Sequence, residues 1–258
     1  MDILGKNIED IARHKAGIIK ENSETVAYNQ ENVIEIIKKT CEGKNSRLHI
    51  VDKKDIKNYN RDKEYQSFDY KEYKDIQINL KGKIQTINAA EVLEAVNILK
   101  EKGFNITDEN IKDGLKNVVH RARFEVLSKA PLIVFDGGHN ESAIQNLREN
   151  IKEYYGEYKN RVYIVSILKT KDYKTIVENL CVDKDAIYIF TSGINENYVP
   201  KEELYNVAEK VCTKENIFKL EFSEAIKTVK EKYKDNLILI VGSFYTYKKS
   251  VEILGVKR

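Results

Sequence analysis

From residue 131 onward, short apolar runs alternate with longer stretches whose apolar side chains recur every three or four positions. The runs at 132–136, 162–166, 186–190, 217–220 and 237–241 are rich in Val, Ile and Phe, so they predict strands buried on both faces. Between and after them, 140–155, 173–180, 201–212, 223–233 and 244–253 carry helical spacing, as in Ile144, Leu147, Ile151 and Tyr154. Strand and helix in alternation predict an α/β fold with a mostly parallel, doubly wound sheet.

The earlier residues are less regular. Ile8, Ile11 and Ala12 predict a helix capped at Lys6 and Asn7 and ended by Gly17. Strands are predicted at 23–27 and 47–51, with a helix at 31–39 between them. Residues 52–74, dominated by Asp, Lys, Asn and Tyr, predict an exposed hairpin or loop. Ile76, Ile78 and Leu80 then alternate with polar residues, the pattern of a half-buried strand over 75–80. A helix over 87–102 is stopped by Gly103, and another opens at Thr107 and ends near Gly114, with Asp108 and Glu109 where acids suit the helix dipole. The boundary between two domains falls after that helix, giving 1–118 and 119–258.

Composition narrows the partners. With 44 basic and 41 acidic residues interspersed, no polybasic face emerges, which argues against nucleic acid. Cys41, Cys181 and Cys212 are odd in number and widely spaced, predicting reduced thiols in a cytoplasmic protein. No apolar run has membrane-spanning length, and the opening residues lack signal-peptide order.

Candidate chemistry concentrates in residues 121–140, RARFEVLSKAPLIVFDGGHN. A predicted strand ends on Asp136, two glycines follow, and His139 and Asn140 open a helix. A carboxylate at a strand's carboxyl end, a glycine turn and a helix N-terminus are where open α/β sheets bind phosphate-bearing ligands. The same spacing also fits a plain connection in which Asp136 and Asn140 satisfy turn and cap amides. Neither GxGxxG nor GxxxxGK[ST] occurs, so a dinucleotide dehydrogenase has little support and the chain lacks the usual loop for gripping ATP phosphates.

Five segments resemble, in order, the folylpolyglutamate synthase and dihydrofolate synthase family of the Mur ligase group: MDILGKNIEDIARHKAGIIK at 1–20, GKIQTINAA at 82–90, RFEVL at 123–127, DGGHN at 136–140 and GSFY at 242–245. The resemblance covers the later part of that family's pattern. It implies the end of a Mur-ligase-type ATPase domain followed by a Rossmann-like C-terminal domain. The family's phosphate loop and a histidine magnesium ligand would precede Met1.

What the resemblance implies for single residues follows the matched positions. Lys15 matches a lysine that is carbamylated, becoming an anionic oxygen ligand of the hard type magnesium prefers; that modification needs an uncharged amine, hence partial burial near cations. Asn88 matches the asparagine on the nucleotide base, Arg123 the arginine extended to the ATP phosphates, and Asp136 the aspartate at the ribose. His139 lies where a histidine approaches the phosphates, and Lys171 and Asp172 resemble a segment near the incoming amino acid. Phe244 and Tyr245 line the same cleft or simply pack. Without the resemblance, Lys15 reads as a surface lysine, Asn88 as a helix N-terminal residue and Arg123 as an exposed linker arginine. Ile84, the residues 120–122 and His14 depart from the family's usual histidine, tryptophan-proline-glycine and glutamate.

The implied activity is ATP- and magnesium-dependent ligation of L-glutamate to folate, dihydropteroate or both, through an acyl phosphate, by a protein monomeric at full length. The 258 residues alone are expected not to turn over and to need the family's N-terminal region. A non-catalytic truncated module, and a Mur or cyanophycin-type ligase acting on another acid, stand as alternatives.

Overall fold

The computed structural model describes residues 7–62 and 64–256. The chain divides into two compact units, Met1–Val119 and His120–Arg258.

In the first unit, α1 (Ile8–Ala16) starts at Asn7, whose side chain accepts the Asp10 amide at 2.8 Å, and Gly17 ends it. Lys6, with the first six residues of the matched segment, lies outside the described residues. β1 (Glu24–Tyr28) and β2 (Arg47–Val51) pair in parallel, and α2 (Ile34–Gly43) crosses between them. Residues 52–74 do form a hairpin, one of the predicted alternatives, but the expectation that it is exposed is corrected, because its second strand is buried. They supply most of an antiparallel three-stranded sheet, β3 (Ile56–Arg61), β4 (Gln66–Tyr70) and β5 (Tyr73–Ile78). Phe68, Tyr70 and Ile76 are fully buried against Ala90 and Leu93 of α3 (Ile84–Glu101). Tyrosine carries the burial here, and its hydroxyl needs a partner. Tyr70 donates to Glu94 Oε1 at 2.8 Å. α3 begins three residues earlier than the spacing suggests, and α4 (Asp108–Lys116) opens on a capping box between Thr107 and Asn110.

The second unit runs β6 (Glu125–Lys129), β7 (Leu132–Asp136), α5 (Glu141–Tyr155), β8 (Arg161–Val165), α6 (Tyr173–Leu180), β9 (Ile187–Phe190), α7 (Lys201–Ala208), β10 (Ile217–Lys219), α8 (Phe222–Lys232), β11 (Leu237–Val241) and α9 (Tyr247–Leu254). Its sheet has the order β10-β9-β8-β11-β7-β6, parallel except for the edge strand β6. β6 is unforeseen in the sequence because Glu125, Ser128 and Lys129 break its apolar pattern; as an edge strand it has one free side to expose.

Winding explains the two faces. From β7 the chain skips one place to β8, proceeds outward to β10, then returns so that β11 fills the gap. Crossovers of constant hand change face when the direction of winding reverses. Accordingly Ile144, Leu147, Ile176 and Leu204 of α5, α6 and α7 pack on one face, with Val134, Val165 and Leu239. Ala225 and Ile226 of α8 and Tyr247 of α9 pack on the other, with Ile133, Ile164 and Ile240. All five residues of β11 are buried, as a central parallel strand requires. No described helix is long and apolar enough to cross a membrane, and the three cysteines are free.

Candidate functional site

The carboxyl edge of the second sheet is level where it matters. Asp136 stands opposite Val241 in the β7–β11 ladder, and Val241 stands opposite Val165 of β8. The residues that leave these strands therefore converge: Gly137 and Gly138, Gly242 to Phe244, and Ser166. Two close approaches account for glycine here. A methyl on Gly137 would lie 2.3 Å from the Phe244 ring. Gly242 adopts φ +101°, and a methyl there would meet the Ser166 carbonyl at 2.5 Å. Ser166 Oγ and Thr191 Oγ1 share a hydrogen bond of 2.7 Å, tying β8 to the end of β9.

Asp136 is nearly buried, and both its oxygens are engaged. Oδ1 accepts the Gly138 amide at 2.7 Å and Oδ2 the Phe124 amide at 3.0 Å. The first bond shapes the glycine turn; the second reaches back twelve residues to the segment that precedes β6. Burial raises the Asp136 pKa, against the opposing pull of these two amides and of Arg123. Each carboxylate oxygen keeps a further acceptor position.

Arg123 sits between two strained residues. Ala122 and Phe124 have φ of +62° and +44°, conformations that cost a residue with a Cβ about 1 kcal/mol or more each. Surrounding bonds hold them. The Ala122 carbonyl accepts the Gly137 amide at 2.9 Å, and its own amide donates to Glu125 Oε2 at 2.8 Å. Glu125 Oε1 also takes Arg121 at 2.7 Å and the Tyr247 hydroxyl at 3.0 Å. Phe124 is buried beside Tyr154 and Tyr155. Arg123 itself makes no ion pair or hydrogen bond among the described residues; its guanidinium carbon lies 4.2 Å from the centroid of the Phe244 ring. A half-buried guanidinium with all its donors uncommitted is suited to a phosphate or carboxylate.

His139 Nδ1 lies 3.0 Å from the Gly137 carbonyl, which can only accept, so the proton is on Nδ1 and Nε2 is the free nitrogen. Burial lowers its pKa, the Gly137 carbonyl opposes that, and the charges of Lys171 and Arg123 add to the lowering. At neutral pH the ring is uncharged, and an incoming anion would raise its proton affinity. Asn140 caps α5 through the Ala143 amide at 2.8 Å.

Arg123, Asp136 and His139 thus meet at one edge, with Lys171 within electrostatic reach of His139. The remaining expected residues stand differently. Asp172 is an N-cap, accepting the Thr175 hydroxyl at 2.8 Å and amide at 3.3 Å. Asn88, in the first unit, is exposed on α3 and donates to Gln85 Oε1 at 3.0 Å. Lys15 is exposed in the last turn of α1, so the first unit's described residues do not provide the burial that carbamylation requires. Nor do any three His, Cys, Asp or Glu side chains converge among the described residues, so the described residues alone do not assemble a donor set for magnesium. Phe244 and Glu125 are the parts that residue spacing did not single out with a role. An aromatic residue directly after the Gly242–Ser243 strand exit is the one signal that pointed to the former.

Residues 122–244 match the family described as Mur ligase, glutamate ligase domain. A dihydrofolate synthase/folylpolyglutamate synthase of Bacillus subtilis is 31% identical over 254 residues, covering 95% of this chain and 58% of that protein. The folylpolyglutamate synthase of Lacticaseibacillus casei is 27% identical, covering 94% of this chain and 56% of the other. A Mycobacterium tuberculosis folylpolyglutamate synthase, described as complexed with ADP and AMPPCP, superposes with a TM-score of 0.87 at 21% identity, over 100% of this chain and 62% of that one. The chain spans somewhat under two thirds of the length of the relatives it matches.

Proposed function

We propose that the chain belongs to the folylpolyglutamate and dihydrofolate synthase family of the Mur ligases, to whose members it is similar, and that it supplies the glutamate-ligase half of an ATP-dependent enzyme joining L-glutamate to a folate, to dihydropteroate, or to both. The observation that carries this reading is Arg123, held between two strained residues at the sheet's carboxyl edge with its donors uncommitted.

In this reading ATP phosphorylates a substrate carboxylate, the amine of glutamate attacks the acyl phosphate, and phosphate leaves. Arg123 grips the terminal phosphoryl group and neutralises charge that develops on it as it transfers. His139 approaches the phosphates through Nε2, gaining a proton as negative charge arrives. Asp136 turns its spare acceptor positions to the ribose, and Asn88 offers donor and acceptor to the base. Lys171 attracts a glutamate carboxylate, and Asp172 fixes the helix start that presents it. Lys15 is the proposed carbamate ligand of magnesium, a role that calls for shielding and further ligands from outside the described residues.

The test joins this chain to a phosphate-loop-bearing N-terminal part and follows glutamate-dependent ADP formation with dihydropteroate and with tetrahydrofolate. Arg123→Ala is expected to lower kcat by about a hundredfold to a thousandfold, the loss typical of one transition-state charge donor. Turnover indifferent to Arg123, or absent with both acids while another acid supports it, would refute the assignment.

A further inference from the structure

Three parts of the site meet on one side chain, Phe244. The Arg123 guanidinium carbon lies 4.2 Å from its ring centroid. The His139 ring meets it edge to face, with centroids 5.7 Å apart and planes at 80°. Gly137 approaches so closely that its missing side chain is what admits the ring. Phe244 is itself anchored at the exit of β11. Ser243 Oγ accepts the Tyr245 amide at 3.3 Å and shares a hydrogen bond of 3.1 Å with the Tyr198 hydroxyl, while Thr246 Oγ1 donates to the Ser243 carbonyl at 2.9 Å.

The chemistry of the contact matters more than its tightness. A carboxylate could hold a guanidinium equally well, but it would occupy the N–H fork that a phosphate needs. A ring holds the cation by its face and leaves the N–H donors at the guanidinium edge uncommitted. Building on the ligase reading above, we propose that Phe244 is a positioning residue, a neutral platform that parks Arg123 beside the 136–139 turn and so pre-forms a polyphosphate-binding edge. The platform comes from β11, a different strand from the one that carries the DGGH turn, and it sets the spacing between Arg123 and His139.

The experiment is an NMR titration of the 258-residue chain with sodium tripolyphosphate, reading the Arg123 Nε–Hε resonance, assigned by its loss in Arg123→Lys. In the unaltered chain the ring current should shift Hε upfield, and tripolyphosphate should move it saturably. Phe244→Leu keeps apolar bulk without a ring; the upfield shift should vanish and the apparent Kd rise roughly fivefold. Phe244→Tyr should restore both. A merely structural phenylalanine would not govern that resonance. An unshifted Hε in the unaltered chain, no tripolyphosphate binding there, or a Kd that Phe244→Leu leaves unchanged overturns the platform. If Phe244→Leu fails to fold, the shift in the unaltered chain and in Phe244→Tyr still decides. Binding abolished by Arg123→Ala but untouched by Phe244→Leu sinks the platform alone, whereas binding that neither variant alters sinks the Arg123 assignment of the ligase reading as well.

Discussion

Asp136 shows how one side chain serves the backbone and remains available to a ligand. Its carboxylate spans from the Gly138 turn to the Phe124 amide, so it holds one of the two strained residues beside Arg123. Asp136→Ala leaves two enclosed amides without partners, and we expect a loss of about 2 kcal/mol or more in urea unfolding, together with a broadened Arg123 resonance. His139 gives a pH dependence whose sign follows from its lowered pKa. As pH falls from the ordinary histidine value of 6.5, the unfolded chain takes a proton that the folded ring declines, so stability falls over that window. Urea midpoints at pH 7.5 and 5.5 should therefore differ less in His139→Gln than in the unaltered chain. Of these residues, Asp136 and His139 stood out from their motif, because a strand end, two glycines and a helix start are written locally, whereas Arg123 was singled out by the family resemblance alone and otherwise read as an exposed linker arginine. The hydrogen bond from Phe124 to Asp136 and the ring beneath Arg123 were not legible in the sequence, since each joins segments whose proximity only the folded sheet creates.

The strands and helices of the second unit were the plainest part of the sequence, because buried parallel strands are continuous apolar runs that no surface demand interrupts. β6 escaped notice as a polar edge strand. Alternating Ile76 and Ile78 announced β5, but the segment before it was read only as an exposed hairpin or loop, because Tyr70 and Tyr73 bury rings that count as half polar in a pattern search. The exit of β11 carries a sharp prediction. Gly242→Ala places a methyl 2.5 Å from the Ser166 carbonyl at φ +101°, and it should cost about 2 kcal/mol or more, read as a lower melting temperature. Thr107→Ala removes one arm of the capping box that opens α4, with an expected loss of about 1 kcal/mol in the first unit.

The two units have separate cores. In the second, two apolar layers lie on opposite faces of one sheet; in the first, the main layer packs α3 and α4 on the antiparallel sheet. A polypeptide of residues 120–258 is therefore expected to fold alone with a cooperative transition, whereas a broad, non-cooperative melt would show that its core is incomplete. No phosphate-loop motif stands anywhere in the 258 residues, so the chain by itself should show no glutamate-dependent ATP hydrolysis, a result checked by a coupled ADP assay. The measurement that bears hardest on the whole account is an ATP titration of the isotope-labelled chain, following the amides of Gly137, Gly138 and His139 and the Arg123 Nε–Hε pair. These resonances should move together and saturate, and Arg123→Ala should suppress the response. Resonances at 137–139 that stay still while others move, for example those of Arg148, Arg161 and Tyr163 in the groove between α5 and α6, would contradict this expectation.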